Sequence, residues 1–370
     1  MSTEPTRRKL LFHIGHHKTG STSIQYAFAT GKVQLEHGKI LYPGKLTHNY
    51  LRGHFDTYAA EGKFIPGSPG FPNLERISSL LKAGDFEIAV ISGEAFEWAN
   101  PGSTYRVLRD LMLPYVDDYS VLCYIRPHAE RIVSGFSESL KIGSFKGSLE
   151  TFSRNAMRDG RLAFASHLAA WAKKFGDRLI VRPVVRSELT AGSVLQDFVT
   201  YGFGPNISAK IESEPLANKS LCLEELLLLR MIHGQVAEKN GQLRLALGWE
   251  ISETISEIEG ATKSRTKLML HKSLAEEIRS CYLSDAQEID RLYFQGRNIF
   301  RAALDSSVDT AISEPQSLEP SDYFDAETLY IAKILSAQIS ALLKNSGEPW
   351  QKYLQKRRVS RLHRGLKEPG

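Results

Sequence analysis

Short apolar runs alternate with amphipathic stretches over most of this chain. Leu10, Leu11, Phe12 and Ile14 form the first run, Ile88 to Ile91 a second, Val121 to Ile125 a third, and "RLIVRPV" from Arg178 a fourth. Runs of this length, bounded by turn residues, predict buried parallel strands. A shorter strand is predicted at Lys39–Tyr42, ended by Pro43-Gly44. Between the strands the spacing predicts helices over Ser23–Ala29, Asn73–Ala83, Thr104–Leu113, the stretch after Pro127, Leu149–Met157 and Phe164–Phe175. Asn73 is placed as an N-cap, and Glu61 to Pro72, rich in Gly and Pro, reads as a loop. Strands alternating with helices predict an α/β domain around a mainly parallel sheet.

The pattern changes later. "LANKSLCLEELLLLRMIH" is mostly helix, with Leu221, Leu223, Leu226, Leu227, Leu229 and Ile232 as core and Ser220 as the expected cap. Asp305 to Asp322 is rich in Ser, Pro and acidic residues and reads as a linker. Ala326–Leu343 follows as an amphipathic helix, with Ile331, Ile334, Leu335, Ile339 and Leu342 on one side. The expected organisation is an α/β domain over 1–304, a linker over 305–322 and a helical extension with a basic tail over 323–370. That tail carries Lys352, Lys356, Arg357, Arg358, Arg361, Arg364 and Lys367 against Glu368. It is read either as a solvated tail or as a contact for anionic lipid or an acidic polymer.

Composition adds little to this picture. At 370 residues and 42% hydrophobic the chain has ample length for a large core, and a net charge of +5 suits anionic nucleotides or acidic glycans without arguing for nucleic acid. Cys123, Cys222 and Cys281 form no CxxC pair and read as free thiols of a reducing compartment. With no apolar stretch of spanning length, and too short an apolar run for a signal sequence at the start, the expected location is cytoplasmic, with the tail allowing contact at a membrane's inner face.

The chemistry concentrates in "LLFHIGHHKTGSTSIQ", Leu10 to Gln25. A strand, a turn and a helix start, in that order, form an anion cradle, because the first helical N–H groups have no internal partner. Gly20 permits close approach, Ser21, Thr22 and Ser23 add hydroxyls, and Lys18 adds a charge. A nucleotide loop of the GxxxxGK[ST] kind places Lys after the second Gly, whereas here Lys18 precedes Gly20. A plain basic turn capping a helix would give the same residues. In a second stretch, "YSVLCYIRPHAERIVSGFSESLK", Arg126 ends a strand, Pro127 opens a helix and Ser134 lies eight positions on. A guanidinium forks two donors onto a phosphate and a hydroxyl adds a third.

"KTGST" with Arg126 and Ser134 resembles the sulfotransferase family, and the longer "HIGHHKTGSTSIQ" resembles its bacterial members. The resemblance implies a three-layer, P-loop-like fold and a donor, 3′-phosphoadenosine-5′-phosphosulfate, with 3′,5′-phosphoadenosine as product and no metal. It implies that Lys18, Thr19, Gly20, Ser21, Thr22 and Ser23 hold the 5′-phosphate and that Arg126 and Ser134 hold the 3′-phosphate. Glu94, after the Ile88–Ile91 strand, would be the general base; a carboxylate capping the next helix is its plain alternative, and Glu97 is the neighbour most easily confused with it. His48 is placed on the acceptor side, against a capping or surface histidine. The implied acceptor is a hydroxyl on a carbohydrate or glycolipid; apart from the resemblance, the apolar stripe of Ala326–Leu343 calls for a partner, which is the main domain, a second subunit in a homo-oligomer, or a membrane surface. Two rivals expect different things: a P-loop kinase or NTPase, and a non-catalytic nucleotide- or glycan-binding protein of the same fold.

Overall fold

The structure, a computed structural model, describes residues 7–212, 220–236, 241–258 and 265–364. In chain order the strands are β1 Lys9–His13, β2 Val33–Leu35, β3 Ile40–Leu41, β4 Ile88–Ser92, β5 Asp118–Ile125, β6 Leu179–Pro183 and β7 Ala209–Ile211. The helices are α1 Ser21–Ala29, α2 Leu51–Glu61, α3 Leu74–Ala83, α4 Pro101–Leu111, α5 His128–Lys141, α6 Leu149–Arg158 and α7 Phe164–Phe175. They continue as α8 Val194–Phe203, α9 Leu223–Gln235, α10 Gly241–Glu257, α11 Lys272–Tyr293, α12 Ile299–Asp309 and α13 Ala326–Arg364. The chain divides into two compact units that interleave in sequence, one of residues 1–127, 163–217 and 285–300, the other of residues 128–162, 218–284 and 301–370.

The first unit holds a five-stranded sheet in the order β3-β4-β1-β5-β6, every pairing parallel. The chain is therefore of the expected α/β class. β1 lies between β4 and β5, with Leu11 level with Val90 on one side and Ser120 on the other. Because side chains alternate across a strand, Leu11, Val90, Leu122 and Tyr124 share one face, where they pack on Ile24, Phe28, Leu195 and Phe198 of α1 and α8. Phe12 points to the other face, its ring 5.6 Å from that of Phe55 in α2 and 4.8 Å from that of Phe96. Both faces are buried, which is why β1 and β4 read as continuous apolar runs rather than alternating ones. Asn73 caps α3 as expected, accepting from Arg76 N at 2.9 Å. A small antiparallel sheet of β2 and β7, and helix α2, lie where no element was predicted.

The second unit is helical. In it α13 packs on α9 and α10, through Leu343 and Ile339 against Ile232, Leu243 and Leu247. Three expectations change here. The cap of α9 is Cys222, not Ser220: the Cys222 N–H donates to Glu225 Oε2 at 2.7 Å, while Ser220 is exposed. The stretch read as a linker is helical as far as Asp309 and is then fastened down, with Ile312 bridging His271 and the Gln316 side chain bonding Met269 N and Lys267 O. α13 runs on to Arg364, and its buried side is Ser336, Ser340 and Leu343, leaving Ile331, Ile334 and Leu335 exposed. Asn218, Lys367 and Glu368 lie outside the described residues.

Candidate functional site

In a parallel sheet all strands end on one edge, and ligands bind beyond it, at the point where the strand order turns back. Here that point is β1, whose neighbours β4 and β5 lie on opposite sides. The loops leaving β4, β1 and β5 carry Glu94, Lys18 and Arg126 in turn, so the three residues share the carboxyl edge of three adjacent strands. Ser134 lies half-buried on α5 in the other unit.

The loop from His13 to Ser21 is sharply turned. Gly15, Lys18 and Gly20 have φ of +50°, +67° and +87°. Left-handed residues of this kind build the concave runs of backbone N–H that hold anions. Glycine is required at the first: a Cβ on Gly15 would stand 3.1 Å from Glu94 Cα and 3.3 Å from Ser21 Oγ. Gly20 caps α1 with no side-chain acceptor, and its carbonyl accepts from Ser23 N at 3.0 Å. Thr19 is fully buried and its hydroxyl donates to His16 O at 2.6 Å, which commits its one proton to shaping the loop. Ser21 is buried, with its Oγ 3.4 Å from Thr19 Oγ1, and Thr22 and Ser23 are half-buried.

Glu97, rather than Glu94, makes the strongest contacts with the loop. Its Oε1 lies 3.0 Å from His16 Nδ1, and its Oε2 accepts from His17 N at 3.0 Å and pairs with His17 Nδ1 at 2.5 Å. Burial at 1% exposure opposes its charge, but the two histidines more than offset that and hold the carboxyl well below the usual carboxylate range. A group so committed is a poor proton acceptor. Glu94 is half-buried at the start of the short 3₁₀ turn Glu94–Trp98. The sequence signals of these contacts are the His16-His17 pair before Lys18 and the second acid of "GEAFEW".

His48 is entirely buried and holds the neighbouring loop to β4: its Nδ1 accepts from Ser92 N at 3.0 Å and its own N–H donates to Ser92 O at 2.9 Å. Burial pushes it down to about 4. It is therefore not a surface histidine. His13 Nδ1 meets Ser92 Oγ at 2.8 Å, and burial pushes His13 down to about 3. The histidines at this edge thus brace the loops. Among the described residues no cluster of three or more His, Cys, Asp or Glu is arranged to hold a metal, and no helix is long and apolar enough to cross a membrane.

No family model matches the chain, and no curated protein matches it. Among solved structures, a sulfotransferase from Alicyclobacillus acidocaldarius is similar at 12% identity and a TM-score of 0.40, covering 81% of this chain and all of that one. So loose a likeness carries no argument about activity.

Proposed function

We propose that this chain is a sulfotransferase that moves a sulfuryl group from 3′-phosphoadenosine-5′-phosphosulfate to an acceptor hydroxyl. The observation that supports it is the placement of Lys18, Arg126 and Glu94 at the carboxyl ends of three adjacent strands, beside a loop whose left-handed turns suit an anion. The residue types fit the donor, which needs cations for two separate phosphates and a base for the acceptor.

In this reading Lys18 and the loop amides stabilise charge on the leaving 5′-phosphate, and Arg126 with Ser134 anchors the 3′-phosphate. Glu94 takes the acceptor proton as the acceptor oxygen bonds to sulfur. The bond from sulfur to the 5′-phosphate oxygen breaks, and its electron pair leaves with 3′,5′-phosphoadenosine. Positioning and charge stabilisation dominate such a transfer, as in phosphoryl transfer. The acceptor is proposed as a carbohydrate or glycolipid hydroxyl, with the basic tail near an anionic surface or polymer.

The test is transfer of radiolabelled sulfate from the donor to a panel of glycans, glycolipids and phenols. Lys18→Ala is expected to lose about 10²–10³ in rate and Glu94→Gln about 10²–10⁴. Transfer by Lys18→Ala at the wild-type rate refutes the reading. So does strong magnesium-dependent ATP hydrolysis without sulfate transfer.

A further inference from the structure

We infer that Glu97 is the positioning residue of the anion loop: from the turn after β4 its carboxylate grips His16 and His17 and so sets the left-handed backbone that presents Lys18. The inference rests on the reading that this loop holds the donor's phosphate.

Three observations carry it. First, both oxygens are used, and both on consecutive residues of one loop, Oε1 at His16 Nδ1 and Oε2 at His17 N and Nδ1. A bond to a main-chain N–H fixes the backbone itself, not only a side chain. Second, Lys18, the next residue, sits at φ +67°, a conformation that a side-chain-bearing residue keeps only where its surroundings impose it. Glu97 constrains it from the N-terminal side, and Thr19 Oγ1 closes the turn back onto His16 O at 2.6 Å. Third, the base of the clamp is rigid. Phe96 packs on both Phe12 and Phe55, while Ala95 N donates to Asn49 Oδ1 at 3.0 Å and Ala95 O accepts from Arg52 at 3.3 Å. His16 is held in turn by the ring edges of Phe164 and His167, each 5.3 Å away.

A carboxylate buried without chemistry of its own would be a costly way to pack a loop. Its charge is kept because the His17 amide and imidazole need one acceptor, while the His16 imidazole lies at ion-pair distance from the other oxygen. The turn that begins with Glu94 and the loop that carries Lys18 are then one rigid piece, so the acid and the ammonium keep a fixed relation.

The experiment uses the full chain and 3′,5′-phosphoadenosine as probe, by titration calorimetry, alongside hydrogen exchange of residues 15–20. Glu97→Gln is expected to weaken binding at least tenfold and to speed exchange of the loop, with Glu97→Asp recovering part of both. His17→Ala, at a half-exposed position, removes one of the three contacts and should give a smaller loss, and adding it to Glu97→Gln should cost no more than about twofold further, since Glu97→Gln has already weakened that contact. Wild-type binding and exchange in Glu97→Gln, or losses that simply multiply in the double variant, overturn the clamp. A wild-type chain that fails to bind the probe overturns the donor reading instead, and the exchange data then judge the clamp alone. If Glu97→Gln does not fold, unchanged binding and exchange in His17→Ala refutes it.

Discussion

Two glycines separate backbone strain from close approach. Gly31 and Gly15 both have positive φ, +70° and +50°. A Cβ on Gly31 would meet nothing within 4 Å, whereas one on Gly15 would press on the backbone of Glu94 at 3.1 Å. Gly31→Ala should therefore cost only the left-handed penalty, about 1–2 kcal/mol. Gly15→Ala should cost about 1–3 kcal/mol more, because the atom in the way is main chain and cannot rotate aside. Urea denaturation of both variants checks this, and equal losses would contradict it. On the proposed reading Gly15→Ala should also weaken nucleotide binding, since the added Cβ crowds both Glu94 and the Ser21 hydroxyl. The loop's shape is thus a property of particular atoms, and its residue types were readable where its contacts were not. "KTGST" after a strand is legible as an anion turn, or equally as a basic turn capping a helix. That Thr19's hydroxyl is spent on His16 O, or that Glu97 grips His16 and His17 from 80 residues away, is fixed only when β1 and β4 pair.

Between elements, Asp197 of α8 is the busiest contact. Its carboxylate accepts from Tyr124 of β5 at 2.8 Å, from Arg182 of β6 at 2.9 and 2.7 Å, and from Thr190 N at 3.0 Å. Asp197 is fully buried and Arg182 nearly so. Asp197→Asn leaves the guanidinium buried without its anion and should destabilise the fold by about 3–5 kcal/mol. Tyr124→Phe removes one neutral donor and should cost about 1–3 kcal/mol. Chemical denaturation ranks the two, and a smaller loss for Asp197→Asn would refute the account. In the sequence this aspartate is one polar residue in "LQDFV", with partners 73 and 15 positions away. Elements with a strong local signal were legible: α7 runs over Phe164–Phe175 as its spacing predicts, and the Asn73 cap is where the residue type puts it. α2 was not, because its buried residues, Leu51, His54 and Phe55, leave no long apolar period and Gly53 interrupts it. The stretch after Asp305 misled for the opposite reason. Its polar composition suggests freedom, yet Gln316 and Ile312 fasten it by backbone contacts that composition does not encode.

At the scale of the whole molecule, the buried histidines tie stability to pH. Burial pushes His13 down to about 3 and His48 to about 4, and burial with the neighbouring His16 pushes His167 to about 4, all from an ordinary 6.5. Each is neutral in the fold and charged in the unfolded chain between those values. The unfolded chain therefore binds more protons there, and stability falls as pH drops from 6.5 toward 4. With roughly three protons involved, the slope from these groups near pH 5 is about 4 kcal/mol per pH unit. Glu97 acts in the same direction lower down: held below its ordinary 4.5 by His16 and His17, it contributes stability above that pH, and the contribution is lost as pH falls further. Stability measured by urea denaturation should thus be much lower at pH 5 than at pH 7.5, and calorimetry in buffers of different ionisation enthalpy should show proton uptake on unfolding. A flat profile between those pH values would refute the assignment. His13 and His48 both bond Ser92 at the end of β4, and His167 abuts His16 in the loop after β1, so one acid-sensitive part of the molecule is the strand edge that carries Lys18, Glu94 and Arg126. Loss of transfer below pH 6 would then track unfolding of that edge rather than protonation of a base. Glu94→Gln separates the two: its residual activity should fall over the same pH range as the wild type.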